Sequence, residues 1–447
     1  MRHERSLAVG ALSFLAYTVY ALRRHARFET TAYDLGIFGQ AVRSYAEGRL
    51  PVSEIRTATA PEGFAGAAYP LLGDHFHPLV GLLGPVYALV PRVEVLLVAQ
   101  AGLVAVSVYV VTRTAGWVLG LSYAASFGLQ DLVAFDFHEV AFAVPLSALA
   151  CAAYTEGRWR AAAWWAAPLL LVKEDLGATV AVLGLLLSRH DRRTGLALCA
   201  AGCVGAVLTV AVLLPAAAPD GRYGYVHQPH GYGVGDGWDT KAVTVALLVA
   251  VTAGLALRSP LVLLAVPTLA WRFLSPNPAY WGPGLHYSAV LMPVVFAAAA
   301  EGLRRCARPG RWVSVVALAA AVSVGTGPLS ASWSPDFWRD PPPAAAAREA
   351  LRLVPDGAAV AASNSLVPHL VDRTTVYLAT ERALPRVRWL VVRDGDPWPA
   401  GQAGAVRRAA EGAGHWRRVH AAGGVTVYAR EGRPEGRIPW RTPTAGE

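Results

Sequence analysis

The residue with the clearest chemical potential is Asp34, which lies in Thr31-Ala32-Tyr33-Asp34-Leu35-Gly36-Ile37-Phe38-Gly39-Gln40. The stretch is too polar to stay in a bilayer and too apolar for an ordinary loop. As a helix it puts Leu35 and Phe38 on one face, with Asp34 beside it near a membrane surface. A carboxylate beside lipid is held by cations, by donors or by a reaction that uses it. Two readings are open: a cap on a short interfacial helix, or a catalytic or ligand-binding acid flanked by Tyr33 and Gln40.

Further polar islands follow. Asp74-His75-Phe76-His77 places two imidazoles two residues apart, on one face of an extended segment. That spacing suits metal ligation by His75 and His77, and equally suits hydrogen bonding to lipid phosphate or backbone. Asp136-Phe137-His138-Glu139 is either a capping box, with Asp136 as N-cap and Glu139 at N3, or a group that binds a metal, a cation or a hydroxyl in a cavity shared with Asp34. Lys173-Glu174-Asp175 interrupts an apolar stretch, where ionisable groups are costly unless paired or wet. It is either a self-neutralising turn or a site where Lys173 holds a lipid-linked phosphate as a point charge. In Tyr280–Tyr287, Trp281, His286 and Tyr287 either stack on a sugar face or join an interfacial aromatic belt. The same two readings apply to Tyr223, Tyr225, His227, His230, Tyr232 and Trp238.

The elements that must position these residues are membrane spans. Of 447 residues, 54% are hydrophobic and 16% charged, and repeated apolar runs end at arginines. Runs of roughly 20 apolar residues mark a polytopic membrane protein embedded in a lipid bilayer. The net charge of +9 resides mostly in short inter-helix loops, as the positive-inside rule requires, and no separate basic domain points to nucleic acid. Cys151, Cys199, Cys203 and Cys306 form no CxxC pair, so neither a disulfide framework nor a cysteine zinc site is expected. Ser6 to Leu22 follows Arg2, His3 and Arg5 without a small-x-small cleavage site, and is expected to be a retained first span.

Pro78 to Pro91 is short and proline-interrupted, so an interfacial or re-entrant helix is expected there. That choice sets the parity of all later spans. It places the N-terminus, Arg113, Arg158, Arg160, Arg189, Arg192, Arg193, Arg258 and the Arg304–Arg311 cluster in the cytoplasm. The polar islands and the tail then share the outer face. The expected fold class is an all-α polytopic membrane protein of about eleven transmembrane helices with a small C-terminal α/β extracytoplasmic domain. The transmembrane domain covers 1–331, with a long first outer loop at 23–77 and the interfacial helix at 78–91. A linker at 332–343 contains Pro341-Pro342-Pro343 and leads to the outer domain at 344–447. That domain shows strands alternating with helices and a hairpin around Gly423-Gly424. It has neither a Gly-rich phosphate loop nor a nucleophile elbow, which suggests a structural or recognition role.

These linked motifs resemble the bacterial domain-of-unknown-function family DUF2079. The resemblance rests on Tyr33 to Gln40, His75-Phe76-His77-Pro78, Asp136-Phe137-His138, Lys173-Glu174-Asp175, His286-Tyr287 and, in the tail, Ser363 to Leu370. More distantly, the layout is similar to GT-C glycosyltransferases of the protein O-mannosyltransferase and aminoarabinose-transferase kind. Those enzymes place one acid just after span one and a second where span four begins, positions that Asp34 and Asp136 match. The chain departs from them in having one acid rather than an acidic pair at Asp34, and in its histidine content. The resemblance implies transfer of a sugar from a polyprenyl-phosphate donor, with Asp34 deprotonating an acceptor hydroxyl and Asp136 assisting. It gives Lys173 and Arg272 the phosphate, and His138, Glu174, Tyr33, Gln40, His286 and Tyr287 the lining of the site. His75, His77 and Glu139 are the candidates for a divalent metal. The alternative is a transporter or lipid flippase with Asp34, Asp136, Lys173 and Glu174 as an ion relay, although no convincing internal repeat supports it.

Overall fold

The computed structural model describes residues 2–226, 232–396 and 401–431. The described chain is mainly helical, and five helices are long and apolar enough to cross a membrane: His3–Ala26, Glu94–Ala115, Arg192–Ala217, His286–Arg304 and Pro309–Thr326. At 1.5 Å rise per residue, even an 18-residue helix reaches roughly 27 Å, close to the hydrocarbon thickness. Shorter apolar helices, Pro78–Leu89, Glu139–Thr155, Leu176–Ser188 and Pro260–Leu274, accompany them. Local chemistry sets several ends. Arg23, Arg24 and His25 close the first helix at its carbonyl end. Asp191 caps Arg192–Leu208 by accepting the Thr194 backbone N–H at 3.2 Å. Prolines sit in the first turn of Pro78–Leu83, Pro260–Ala265 and Pro309–Thr326, where the missing N–H costs nothing. Val204, Val207, Leu318 and Val322 face outward. Such apolar faces are stable against acyl chains and unfavourable against water.

The C-terminal part folds as a five-stranded sheet in the order 375–378, 359–362, 389–393, 425–430, 416–422. The first three strands are parallel and the last two pair antiparallel. Residues 328–338 are folded against the first helix: Phe337 stacks on Tyr20, and its carbonyl accepts from Arg23 Nε at 2.9 Å. Pro342 begins the helix Pro342–Arg352, so the proline run acts as a helix start rather than a spacer.

The sheet domain shares one apolar core with the membrane helices. Leu35, Phe38, Ala41 and Val42 pack in the same cluster as Val360, Leu366, Val367 and Val371. Two glycines permit that approach. A Cβ on Gly36 would lie 2.9 Å from Ile55 Cδ1 and 3.0 Å from Val367 Cγ1, and one on Gly39 would lie 2.7 Å from Val371 Cγ1. Gln40 completes the joint. Its Nε2 donates to the Val376 carbonyl at 2.9 Å, and its Oε1 accepts from Ser53 Oγ at 2.6 Å. Gly39→Val is therefore expected to destabilise the protein by about 1–3 kcal/mol through overpacking. Proteolysis of the C-terminal domain should become faster in detergent. Gly325→Ala, a helical position where no atom lies within 4 Å of the added Cβ, is the control that should cause no destabilisation in the same melting and proteolysis assays.

Candidate functional site

The turn carrying Asp34 is held from both sides. Asp136 stands at φ 64°, in the left-handed region that Asp tolerates better than most residues. Its Oδ2 accepts the Thr31 backbone N–H at 2.7 Å and the Thr31 hydroxyl at 2.9 Å. The Arg24 guanidinium lies 3.5 Å from the other oxygen. Opposite, the Ala32 N–H donates to Asn364 Oδ1 at 2.9 Å. The capping-box geometry is not formed, since His138 occupies the N-cap position of Glu139–Ala141 and makes no side-chain cap bond. Asp136 clamps the Asp34 turn instead. Burial pushes its carboxyl up to about 6, against the lowering effects of Arg24 and Thr31.

Beyond the clamp, Asp34, His138 and His286 come together. One donor atom from each lies within 4.8 Å of the others. Asp34 Oδ2 is buried and, like both ring nitrogens of His286, has no hydrogen-bond partner. The His138 and His286 rings stack with centroids 3.4 Å apart. Burial raises the Asp34 carboxyl well above the usual carboxylate range, and the nearby Glu139 and Asp136 add to the rise. Burial lowers His138 to about 4 despite Glu139, which leaves a neutral imidazole near pH 7.

Charged pairs surround this trio. Glu139 Oε2 lies 2.6 Å from His138 Nδ1, and Glu139 Oε1 lies 2.8 Å from Lys173 Nζ. The Lys173 contact is an ion pair, whereas the neutral His138 makes the other a close polar contact, and neither carboxylate oxygen is aligned as a hydrogen-bond acceptor. Glu174 accepts from Tyr223 Oη at 2.7 Å and from the Phe76 N–H at 3.1 Å, and its Oε1 lies 2.6 Å from His75 Nδ1. The H-x-H pair therefore divides. His75 belongs to Glu174, whereas His77 sits edge-on to Phe38 at 5.5 Å with its Nδ1 unpartnered. Asp74 forms a bidentate pair with Arg56, at 2.8 Å and 3.0 Å.

Several expected ligand contacts are already spent on the scaffold. The Gln40 amide bonds Ser53 and Val376, as described, and Tyr33 Oη lies 2.5 Å from Thr59 Oγ1. Arg272 is fully buried, donating to the Tyr280 carbonyl at 2.8 Å, the Gly282 carbonyl at 2.6 Å and Ser288 Oγ at 3.3 Å. It holds the loop that delivers His286 and lies 5.8 Å from the Tyr287 ring centroid. Trp281 is buried beneath Lys241, whose Nζ is 4.3 Å from the ring centroid. Leu285, just before His286, adopts φ 61°, ψ −164°. That region is almost reserved for glycine and costs about 1–3 kcal/mol, so packing and Arg272 must fix it. His227 and His230 lie outside the described residues.

Sequence reasoning missed Gln100 and Asn364 as supports. Gln100 Nε2 donates to the Asp136 carbonyl, and its Oε1 accepts the His138 N–H at 3.1 Å. A lone amide inside the apolar helix Glu94–Ala115 was the available signal, because such a group must find partners. Asn364 lies in the tail segment Ser363–Leu370 that carries the family resemblance, but nothing local assigned it this contact.

The family model described as "Predicted membrane protein (DUF2079)" matches residues 24–427. No curated protein matches the chain.

The His75–Glu174 pair gives a signed pH dependence. Burial opposes charge on His75, but the Glu174 carboxylate outweighs it, so the pKa rises from the ordinary 6.5. Burial opposes charge on Glu174 too, and His75 outweighs it, lowering the carboxyl from 4.5 to about 2. The histidine's contribution to stability is complete below 6.5 and disappears as pH rises through the raised value. The carboxylate's contribution is complete above 4.5 and disappears as pH falls through about 2. Protection of the amides around Phe76, taken relative to the intrinsic exchange rate at each pH, should be greatest between those limits and fall on the alkaline side. His75→Gln should remove that alkaline fall in protection.

Proposed function

The chain belongs to the DUF2079 family of predicted membrane proteins, and on that premise we propose that it is a membrane glycosyltransferase. In this proposal it transfers a sugar from a polyprenyl-phosphate donor to an acceptor hydroxyl at the outer face of the cell membrane. The observation that carries the proposal is the buried, unpartnered Asp34 Oδ2, grouped with His138 and His286, with Lys173 paired to Glu139 next to His138. In the reaction, Asp34 takes the acceptor proton as the acceptor oxygen attacks the anomeric carbon. The bond from that carbon to the phosphate oxygen breaks, and its electron pair leaves on phosphate. The Lys173 charge favours this negative leaving group. Asp136 acts as a positioning residue through Thr31, and Arg272 acts similarly through the His286 loop.

The proposal includes about eleven crossings, with broken helices supplying some of them, and an outward-facing C-terminal domain. Support comes from both ends of the 78–91 segment. His77 meets Phe38, and beyond Pro91 the Val93 N–H donates to Asp372 of the sheet domain at 3.0 Å. Tyr87, within the segment, donates to the same carboxylate at 2.7 Å. Both ends of the segment meeting one group of partners supports its reading as an interfacial or re-entrant helix rather than a full crossing.

The transporter or flippase reading also has one observation in its favour: the buried chain Lys173–Glu139–His138 offers a proton path. Turnover of polyprenyl-phosphate sugars by the full chain in lipid nanodiscs separates the two. Wild-type sugar release or transfer is expected, with Asp34→Asn reducing it by about 100-fold or more at unchanged melting temperature. Donor translocation without cleavage would establish the flippase instead. Absence of cleavage across a donor and acceptor panel by folded wild-type protein would overturn the transferase.

A further inference from the structure

We infer that Asp34, His138 and His286 form a three-ligand site for a divalent transition metal ion of the zinc class, with a coordination position left for water or a substrate oxygen. The inference does not depend on the sugar-transfer reading.

Three independent features converge on it. The first is ligand geometry. Three ligands about 2.0–2.1 Å from a tetrahedral zinc stand roughly 3.3–3.4 Å from one another. The donor atoms already lie within 4.8 Å, and convergence on one ion requires the stacked His138 and His286 rings to turn out of their near-parallel arrangement. The second is the set of orphaned atoms. His286 is 4% exposed, and neither of its ring nitrogens has a partner. A buried imidazole with both nitrogens unpaired loses water without compensation, at about 1–3 kcal/mol per group. A metal ion supplies the missing partner for one nitrogen, and for Asp34 Oδ2. The third is the second layer. Glu139 stands 2.6 Å from His138 Nδ1. A carboxylate at one ring nitrogen, leaving the other for a metal, is the recurring arrangement of histidine ligands, and Glu139 stands within reach of that role although it is not aligned as an acceptor here. Lys173 neutralises that carboxylate from its far side. On the opposite flank, Arg272 and the strained Leu285 fix the approach of His286.

The donor set also selects the ion. Calcium and magnesium require mostly oxygen ligands, whereas two imidazoles and one carboxylate suit zinc and its transition neighbours. The four cysteines are far from this set in kind: all are free, and none is among the grouped ligands. One Asp34 oxygen on the ion leaves the other available to an acceptor proton, so ligation and the proposed base role are compatible.

The test uses the full chain in nanodiscs, purified without a histidine tag, loaded with zinc in the presence of excess magnesium and then desalted. Elemental analysis is expected to find zinc near equimolar with the chain. Asp34→Asn and His286→Gln, both close in volume to the native residues, should each lower retained zinc at least tenfold. His75→Gln, outside the trio, should leave it unchanged. Cobalt(II) substitution gives a second readout on wild-type protein: strong visible d–d bands of a low-coordinate nitrogen and oxygen site, absent in Asp34→Asn. Folded wild type without retained zinc, retention unchanged in both trio variants, or equal loss in His75→Gln would each overturn the inference.

Discussion

The structure depends on one constraint: an ion taken out of water among apolar helices must be paired. Isolated charges cost far more than any single contact returns, so buried ionisable groups occur as partners or as neutral species. Glu139 illustrates this. It is 1% exposed and lies between His138 and Lys173. Removing Lys173 would leave the buried carboxylate uncompensated, and removing Glu139 would leave the buried lysine so. Glu174 has the same status, with His75, Tyr223 and the Phe76 N–H around one carboxylate. These pairs join residues distant in sequence: 75 to 174, 139 to 173, and 174 to 223. Satisfying them draws the polar ends of separate apolar segments to one place.

The second consequence concerns the C-terminal domain. The turn that carries Asp34 is flanked by core residues such as Ala32 and Leu35, but its polar groups need partners of their own. Here Asp136 holds Thr31, and Asn364 of the sheet domain holds the next residue, Ala32, on the approach to Asp34. Gly36 and Gly39 matter because they lack side chains where Val367 and Val371 pack. The sheet domain is therefore part of the scaffold that positions Asp34. Its parallel strands put the Ser363–Ser365 loop at the end of strand 359–362, against that turn.

What was legible in the sequence follows from the range of the forces involved. The membrane character was readable because apolar runs are local. So was the family, since its motifs are short and ordered along the chain. The alternation of strands and helices after Pro342 was readable for the same local reason, and a C-terminal sheet is present. The polar islands could be named one by one from their cost in an apolar context. Their pairing could not. Nothing in Asp74-His75-Phe76-His77 says that His75 faces Glu174 while His77 faces Phe38, because that division is fixed by helices far away in sequence. Nor does the spacing of Asp136, His138 and Glu139 reveal that Asp136 turns toward Thr31. That depends on a left-handed backbone at Asp136 and on Gln100 behind it. The distinction between scaffold and site was likewise hidden, since Gln40 and Arg272 look like ligand-binding groups until their partners are known.

Hydrogen-bond satisfaction then separates the two classes of buried polar residue. Gln40, Glu174 and Arg272 find partners within the chain, and each holds one segment against another. Groups satisfied in this way have little left to offer a ligand without loosening the fold. His286 is the opposite case: it is buried, carried by a strained backbone, held in place by Arg272, and unpartnered at both nitrogens. Folding alone gains nothing from such an arrangement, because an apolar side chain of similar size would pack there without the desolvation cost. Structures retain that kind of local loss where a bound group recovers it. Asp34 Oδ2 shares the same condition a few ångströms away, on a turn fastened by two domains. The stabilising interactions thus surround the trio and stop short of satisfying it, which is the pattern expected of a site organised in advance for something that binds.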